Sequence, residues 1–455
     1  MLIKLKEKRN KFIPIGMMFL FLFATFPGKG GLEGDQRELS QLSERSDNWG
    51  FVVPFIVGNW PNILGHWRFT LVFTQLLIFW IGLWLMLRNS WRVDKKSRKW
   101  IAPIVFASSV FVSQLWRDAT LLALTAFALG ILSFSIEKSR KVRMFLVAFC
   151  IFTLHFAAMF KVLYGGILGL LFFWVLNQGR GTKTITKFAS ICVVISLIFL
   201  PFIVDRQLSG LAGLKKVFPE QQPIIFDLAS NYCWGQSSQI TNDAAEGLKN
   251  VLRPNFPLPS VCSALKPNSW DNLHSSSIQW EFSSPITRIS GEEESKLSEL
   301  RSKWITMIIR NPMDWIQTRL MYLGWTLSLS NSFVPENSAG ISRSFFWDAN
   351  SRVWQVIFIP ASLMDKFRLT SILFALCAIL ILFFRSAIAS NGSRSIFIRK
   401  SIPLFFAVII LLTTTALTLV GFVASNGRYV FPYVTLTYVL LLRSLTLSRH
   451  VRINH

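Results

Sequence analysis

Residues 116–161 read WRDATLLALTAFALGILSFSIEKSRKVRMFLVAFCIFTLHFAAMFK, and this stretch decides the class of the fold. Two apolar runs, Ala119–Ile136 and Met144–Phe160, each approach the roughly 20 residues that a helix needs to cross a bilayer. Between them lies Glu137–Arg143, with Lys138, Arg140, Lys141 and Arg143. The opposite ends carry only Arg117, Asp118 and Lys161. Basic residues at the joining turn and few at the far ends make a spanning hairpin whose turn faces the cytoplasm.

The same grammar extends in both directions. Further apolar runs are Phe12–Phe26, Phe69–Leu87, Ile101–Leu115, Val162–Leu176 and Phe188–Val204, then Leu369–Phe384, Ile402–Val423 and Val430–Leu447. The expected architecture is an all-α polytopic membrane protein of about ten transmembrane helices. The first run follows Lys4, Lys6, Lys8, Arg9 and Lys11; no small-residue cleavage site follows it, so a retained first helix is preferred over a signal peptide. Arg88–Lys99, Arg180–Lys187, Arg385–Lys400 and the tail with Arg443, Arg449 and Arg452 are basic and fall on the cytoplasmic side by alternation. Both termini are then expected in the cytoplasm of a cell inner or plasma membrane.

Composition agrees. Of 455 residues, 52% are hydrophobic and only 16% charged, against about 25% charged in soluble domains. The net charge of +24 would suggest nucleic acid in a soluble protein. Here the bases sit between lipid-length runs, and most of the 41 Phe lie in those runs rather than on a basic stacking surface. No nucleic-acid partner is expected.

Three regions follow: residues 1–206, a transmembrane module with a first extracytoplasmic loop at 27–68; residues 207–366, a large extracytoplasmic loop with interfacial helices; and residues 367–455, C-terminal transmembrane helices. In the first loop, Leu39, Leu42 and Trp49 suit a juxtamembrane helix. Residues 207–290, rich in Ser, Asn, Pro and Gln, read as irregular. Residues 291–311 form a helix, acidic at its start and basic near its end, with Leu297, Leu300, Trp304, Met307 and Ile308 on one face. Asn311-Pro312 ends it. Met313–Leu329 and Val353–Leu363 are apolar enough to touch lipid; Asp314, Gln317 and Arg319 point to an amphipathic or partly embedded helix in the first, with a pair of additional spans as the alternative. Cys233 and Cys262 share the long loop, where an oxidising compartment would allow a disulfide; two separate thiols are the other reading.

Candidate chemistry gathers at the outer ends of the spans. Asp35 follows the first span and can serve as a general base or simply cap a short helix, with Glu38 three residues on. Arg117 and Asp118 form a tight outer turn that can bind a phosphate, an amine or a metal, or pair with itself. Lys161, Arg428 and Tyr429 can hold a lipid-linked phosphate or snorkel to headgroups. His155 within a span reads as a packing residue. No paired metal-ligand motif or nucleotide-binding motif is present, and no cytosolic segment is large enough to form a nucleotide domain.

With Glu33-Gly34-Asp35-Gln36 after the first span, the Trp116-Arg117-Asp118-Ala119 turn, the Trp304–Pro312 helix end followed by Trp315 and Arg319, and Asn426-Gly427-Arg428-Tyr429 with Pro432, the chain resembles the bacterial integral-membrane glycosyltransferases of the GT-C type. That family includes relatives of the protein mannosyltransferases and of lipid A aminoarabinose transferase. The resemblance implies a polyprenyl-phosphate sugar donor, an extracytoplasmic acceptor and inversion at the sugar. It implies Asp35 as base, Asp118 shaping the acceptor pocket or helping to hold a divalent metal ion, and Arg117, Lys161 and Arg428 with Tyr429 at the donor phosphate. The sequence departs from the family where Asp35 is followed by Gln36 instead of a second acid, which leaves Glu33 and Glu38 as alternates for the base. A surface-polysaccharide polymerase or ligase and a membrane transporter or flippase are the competing readings.

Overall fold

The computed structural model describes residues 52, 55, 67–93, 108–109, 112, 117–136, 138–161, 164–177, 184–214, 218, 220–265, 273, 284–287, 289, 293–327, 405–413, 436–437 and 439–440. The runs Phe12–Phe26 and Leu369–Phe384, the loop 27–68 and the segment Val353–Leu363 fall wholly or almost wholly outside these residues. Ile101–Leu115, Ile402–Val423 and Val430–Leu447 do so for most of their length.

Five helices form an apolar bundle: α1 (Trp67–Val93), α2 (Arg117–Ser135), α3 (Arg140–Phe160), α4 (Gly165–Asn177) and α5 (Thr184–Leu211). Among the described residues, three helical stretches, Asp118–Ser135, Arg140–Phe160 and Phe188–Leu211, are long and apolar enough to cross a membrane. α4, at about 20 Å, is shorter than the ~30 Å hydrocarbon layer.

α2 is the centre of the bundle. α1 runs parallel to it, because Gln75 meets Thr120 near their starts and Gly82 meets Ala126 and Gly130 further along. A Cβ on Gly130 would stand 2.4 Å from the Gly82 carbonyl oxygen, so backbones touch at this crossing and only glycine fits. Parallel pairing puts Val93 and Arg117 at opposite ends of the pair. α3 returns antiparallel to α2, with Phe127 edge-on to Phe149 at 6.3 Å. The turn between them is closed by Arg143, which donates from Nη2 to the carbonyls of Ile136 and Lys138, both at 3.1 Å. Both carbonyls lie in the turn just beyond Ser135, the end of α2, where a cation also complements the helix dipole. α4 and α5 are antiparallel, and Gly165 lies where a Cβ would fall 2.0 Å from the Leu197 carbonyl oxygen. Helical residues 405–413 pack against α4, Phe406 stacking on Trp174 at 6.3 Å.

The outward faces are apolar. α3 exposes Met144, Phe145, Phe149 and Phe152; α5 exposes Phe188, Ile191, Ile195, Phe199, Phe202 and Ile203. Side chains that water would drive inward point outward here, which is the arrangement hydrocarbon selects.

A second unit follows α5, with its own core. It comprises α6 (Gln221–Trp234), α7 (Ser238–Lys249), α8 (Ser260–Ala264), α9 (Glu294–Arg310) and α10 (Pro312–Leu327). Ile225, Phe226, Leu228, Ile240, Leu248, Val261, Leu297, Leu300 and Met307 build that core. The expectation of irregular structure over 207–290 is therefore corrected: α5 continues to Leu211, and three helices follow. α6 escaped because Ile224 through Asn231 are all buried, so it has no polar face to generate a helical period. Gln221 ties a distant segment to it, donating from Nε2 to the Ile289 carbonyl and accepting from the Ile289 N–H, each at 2.9 Å. The helix expected over 291–311 is α9, ending at Arg310 before Pro312.

Cys233 at the end of α6 and Cys262 in α8 are joined by a disulfide with Cα atoms 5.4 Å apart. A bridge closing a loop of sequence separation 29 contributes about 3–4 kcal/mol by restricting the unfolded chain. Cys233→Ser is expected to lower the denaturant midpoint for proteolysis within residues 221–310 by that equivalent, and an unchanged midpoint would contradict it.

Candidate functional site

Two charged groups meet at the end of the bundle opposite the basic turn. Asp118 lies in the first turn of α2, where a carboxylate is favoured by the helix N-terminus. Lys161 is the residue that stops α3, with its backbone already extended at φ −160°. Because α2 and α3 are antiparallel, the beginning of one adjoins the end of the other. Lys161 Nζ donates to Asp118 Oδ1 at 2.7 Å, with side-chain exposures of 13% and 7%.

Tyr164, fully buried at the entry to α4, presents its ring 4.9 Å from the same ammonium. A reverse turn, Tyr164 N–H to the Lys161 carbonyl at 3.0 Å, sets that distance. One turn into α2, Thr120 pairs with Gln75 of α1, both buried. The result is a polar group of Asp118, Lys161 and Tyr164 in an apolar bundle, with the Gln75–Thr120 pair on a different face of the same end of α2; ionisable groups in such a setting are costly and serve a purpose.

Of the residues singled out from sequence, the structure brings Asp118 and Lys161 together. Arg117 opens α2, but its side chain lies outside the described residues, as do Asp35, Glu33, Glu38, Arg428 and Tyr429. Tyr164, Gln75 and Thr120 were missed; a polar residue inside an apolar run was the available signal. His155 also has a partner across the bundle. Its Nδ1 is 2.8 Å from the Ile151 carbonyl and its Nε2 is 2.9 Å from Ser196 Oγ of α5. Ser196 Oγ in turn donates to the Val193 carbonyl at 2.9 Å, so the ring joins α3 to α5 through a short hydrogen-bonded chain. This is the packing role read from sequence.

Chemically, the cluster holds a cation and a carboxylate already paired in a water-poor setting. An anion reaching Lys161 would compete with Asp118 for the ammonium, and the carboxylate so released becomes a stronger acceptor for a hydroxyl or amine. A divalent cation fits poorly, because it calls for several oxygen ligands and the ammonium already occupies Asp118 Oδ1. No three His, Cys, Asp or Glu side chains converge anywhere among the described residues.

A second charged centre lies in the α6–α10 unit. Asp227 of α6 is fully buried. Its Oδ1 is 2.9 Å from Arg319 Nε of α10 and accepts from Asn231 Nδ2 at 3.3 Å. Its Oδ2 accepts from the indole N–H groups of Trp304 and Trp315, both at 2.6 Å. Complete burial keeps substrate away, so this centre holds helices together. The sequence signal for it was a lone acid inside the apolar run 224–229.

No family model, curated protein or solved structure matches the chain.

Proposed function

We propose that the chain is a membrane glycosyltransferase that moves a sugar from a polyprenyl-phosphate donor to an extracytoplasmic glycan, lipid or protein. The observation that carries this reading is the Asp118–Lys161 pair at the non-basic end of the α2–α3 hairpin. With the basic turn in the cytoplasm, that end is at the outer leaflet, the depth of a lipid-linked phosphate. The disulfide in the α6–α10 unit supports the same orientation, because such bridges persist on the oxidising side of a cell membrane. The parallel course of α1 and α2 supports the ten-span arrangement, since an intervening span returns the chain between them.

In the proposed reaction, Lys161 binds a non-bridging oxygen of the donor phosphate, aided by Arg117 and by Arg428 with Tyr429. Asp118, relieved of the ammonium, accepts a hydrogen bond from the acceptor. The acceptor oxygen attacks the anomeric carbon, the anomeric carbon–phosphate oxygen bond breaks, and the acceptor proton passes to a carboxylate, with Asp35 in the role of base and Glu33 or Glu38 as its alternates. Polyprenyl phosphate leaves with the bonding electron pair, its charge held by Lys161. Attack opposite the leaving group gives inversion.

The test is transfer of radiolabel from a panel of polyprenyl-phosphate sugars to membrane-extract acceptors by the full chain in liposomes. Wild type is expected to transfer label, and Asp118→Asn and Asp35→Asn to lose at least a hundredfold, in the range ascribed to a positioned acid–base group (about 10²–10⁴). Retained transfer in both variants would remove these residues from the reaction. No transfer by folded wild type across the panel would favour the polymerase or transporter reading.

A further inference from the structure

α10 is inside out for a helix on a water-soluble unit. Its charged residues turn inward: Arg319 meets Asp227, and Asp314 Oδ2 accepts from Ser237 Oγ at 2.5 Å. Its apolar residues turn outward: Met313, Ile316 and Leu320 are exposed, and they continue a stripe begun by Ile305 and Ile309 on α9. Over Pro312–Leu320 the exposed face contains only Gln317 as a polar side chain. Water would favour the reverse arrangement.

We infer that this face is seated in the lipid bilayer, with α10 embedded in the leaflet next to the α6–α10 unit. Three observations select lipid over a protein partner. First, the face is apolar like the outward runs of the spanning helices, Met144 to Phe152 on α3 and Phe188 to Ile203 on α5. Second, charge is graded along the stripe. Arg301 and Arg310 stand exposed on α9, paired with Glu220 and Asp243 of the same unit, whereas no charged side chain is exposed over Pro312–Leu320, as expected when one end lies near the polar interface and the other among acyl chains. Third, α6 begins ten positions after α5 ends at Leu211, so the unit stays within about 35 Å of the membrane helix even with that link fully extended. The remaining residues of α10, Met321-Tyr322-Leu323-Gly324-Trp325-Thr326-Leu327, continue the apolar run. The Asp227 centre then has a reason. It sequesters the Arg319 charge, as Ser237 holds the Asp314 carboxylate, so that the helix can present an uncharged face to hydrocarbon. This inference rests on the membrane reading of the bundle and is independent of the transferase reading.

The test uses nitroxide labels on the full chain in liposomes of phosphatidylglycerol and phosphatidylethanolamine, in a background with Cys150, Cys192 and Cys377 replaced by Ala and the disulfide intact. Labels go on Ile309→Cys, Met313→Cys, Ile316→Cys and Leu320→Cys, with Ser302→Cys as an exposed control. All are surface positions, and retention of the Cys233–Cys262 bridge reports folding of the unit. The ratio of collision with oxygen to collision with a water-soluble nickel chelate is expected to rise severalfold from Ser302 to Leu320, with an increase along 309, 313, 316 and 320. Ratios at 316 and 320 equal to that at 302 would overturn lipid seating. Low accessibility to both reagents at 316 and 320 would also overturn it and assign the face to a protein partner.

Discussion

Arg319→Met is expected to cost the α6–α10 unit about 3–5 kcal/mol, because it strands the Asp227 carboxylate where water cannot reach it. Both partners of this pair are essentially inaccessible, at 2% and 0% side-chain exposure. The two indole donors and Asn231 remain after substitution, but they neutralise no charge. The carboxylate is then buried without a counter-ion, and opening of the unit is favoured because it hydrates that charge. The double variant Asp227→Asn with Arg319→Met keeps a side-chain oxygen for the indoles and removes both charges, and it should recover most of the loss. The readout is the rate at which the Cys233–Cys262 bridge becomes reducible in rising denaturant, a signal confined to this unit. A single variant within about 1 kcal/mol of wild type would mean the pair is hydrated in solution, since exposed ion pairs contribute that little.

Asp118→Leu is expected to destabilise the bundle by a similar ~3–5 kcal/mol, since it leaves the Lys161 ammonium buried beside Tyr164. The ring face offsets part of this, about 1–2 kcal/mol for a desolvated cation–π contact. Asp118→Leu with Lys161→Met removes both charges and should restore thermal stability in detergent to near wild type. The same double variant should nevertheless transfer no sugar. That split separates a pair kept for chemistry from one kept for packing. Recovery of stability together with undiminished transfer would make the pair a structural clasp and would remove it from the proposed mechanism.

The legible part of this protein is where one physical rule acts along the chain. The α2–α3 hairpin could be read because its apolar runs and its basic turn are contiguous, and hydrocarbon and charge sort such segments without reference to anything distant. α9 could be read because its acids, bases and apolar stripe each follow from the helix itself. The candidate site was half legible. Asp118 and Lys161 were marked by position at the ends of spans, but their pairing was not, because it depends on the antiparallel contact between two helices. Tyr164 and the Gln75–Thr120 pair were passed over: each shows in sequence only as a polar residue inside an apolar run, and its partner is set by the packing of separate helices.

Elsewhere the local pattern was silent or ambiguous. α6 is enclosed on every side, so a periodicity argument had nothing to detect. Cys233 and Cys262 were visible as a pair of residues; it is the packing of α8 on α6 that brings their Cα atoms to 5.4 Å. For α10, the sequence alone pointed to an amphipathic or partly embedded helix over Met313–Leu329, with a membrane span as the alternative. Which face turns inward was decided only by the tertiary structure, because the period of an amphipathic helix is the same in either orientation. The buried Asp227 and the two indoles beside it draw Arg319 inward, and Met313, Ile316 and Leu320 are thereby left facing out.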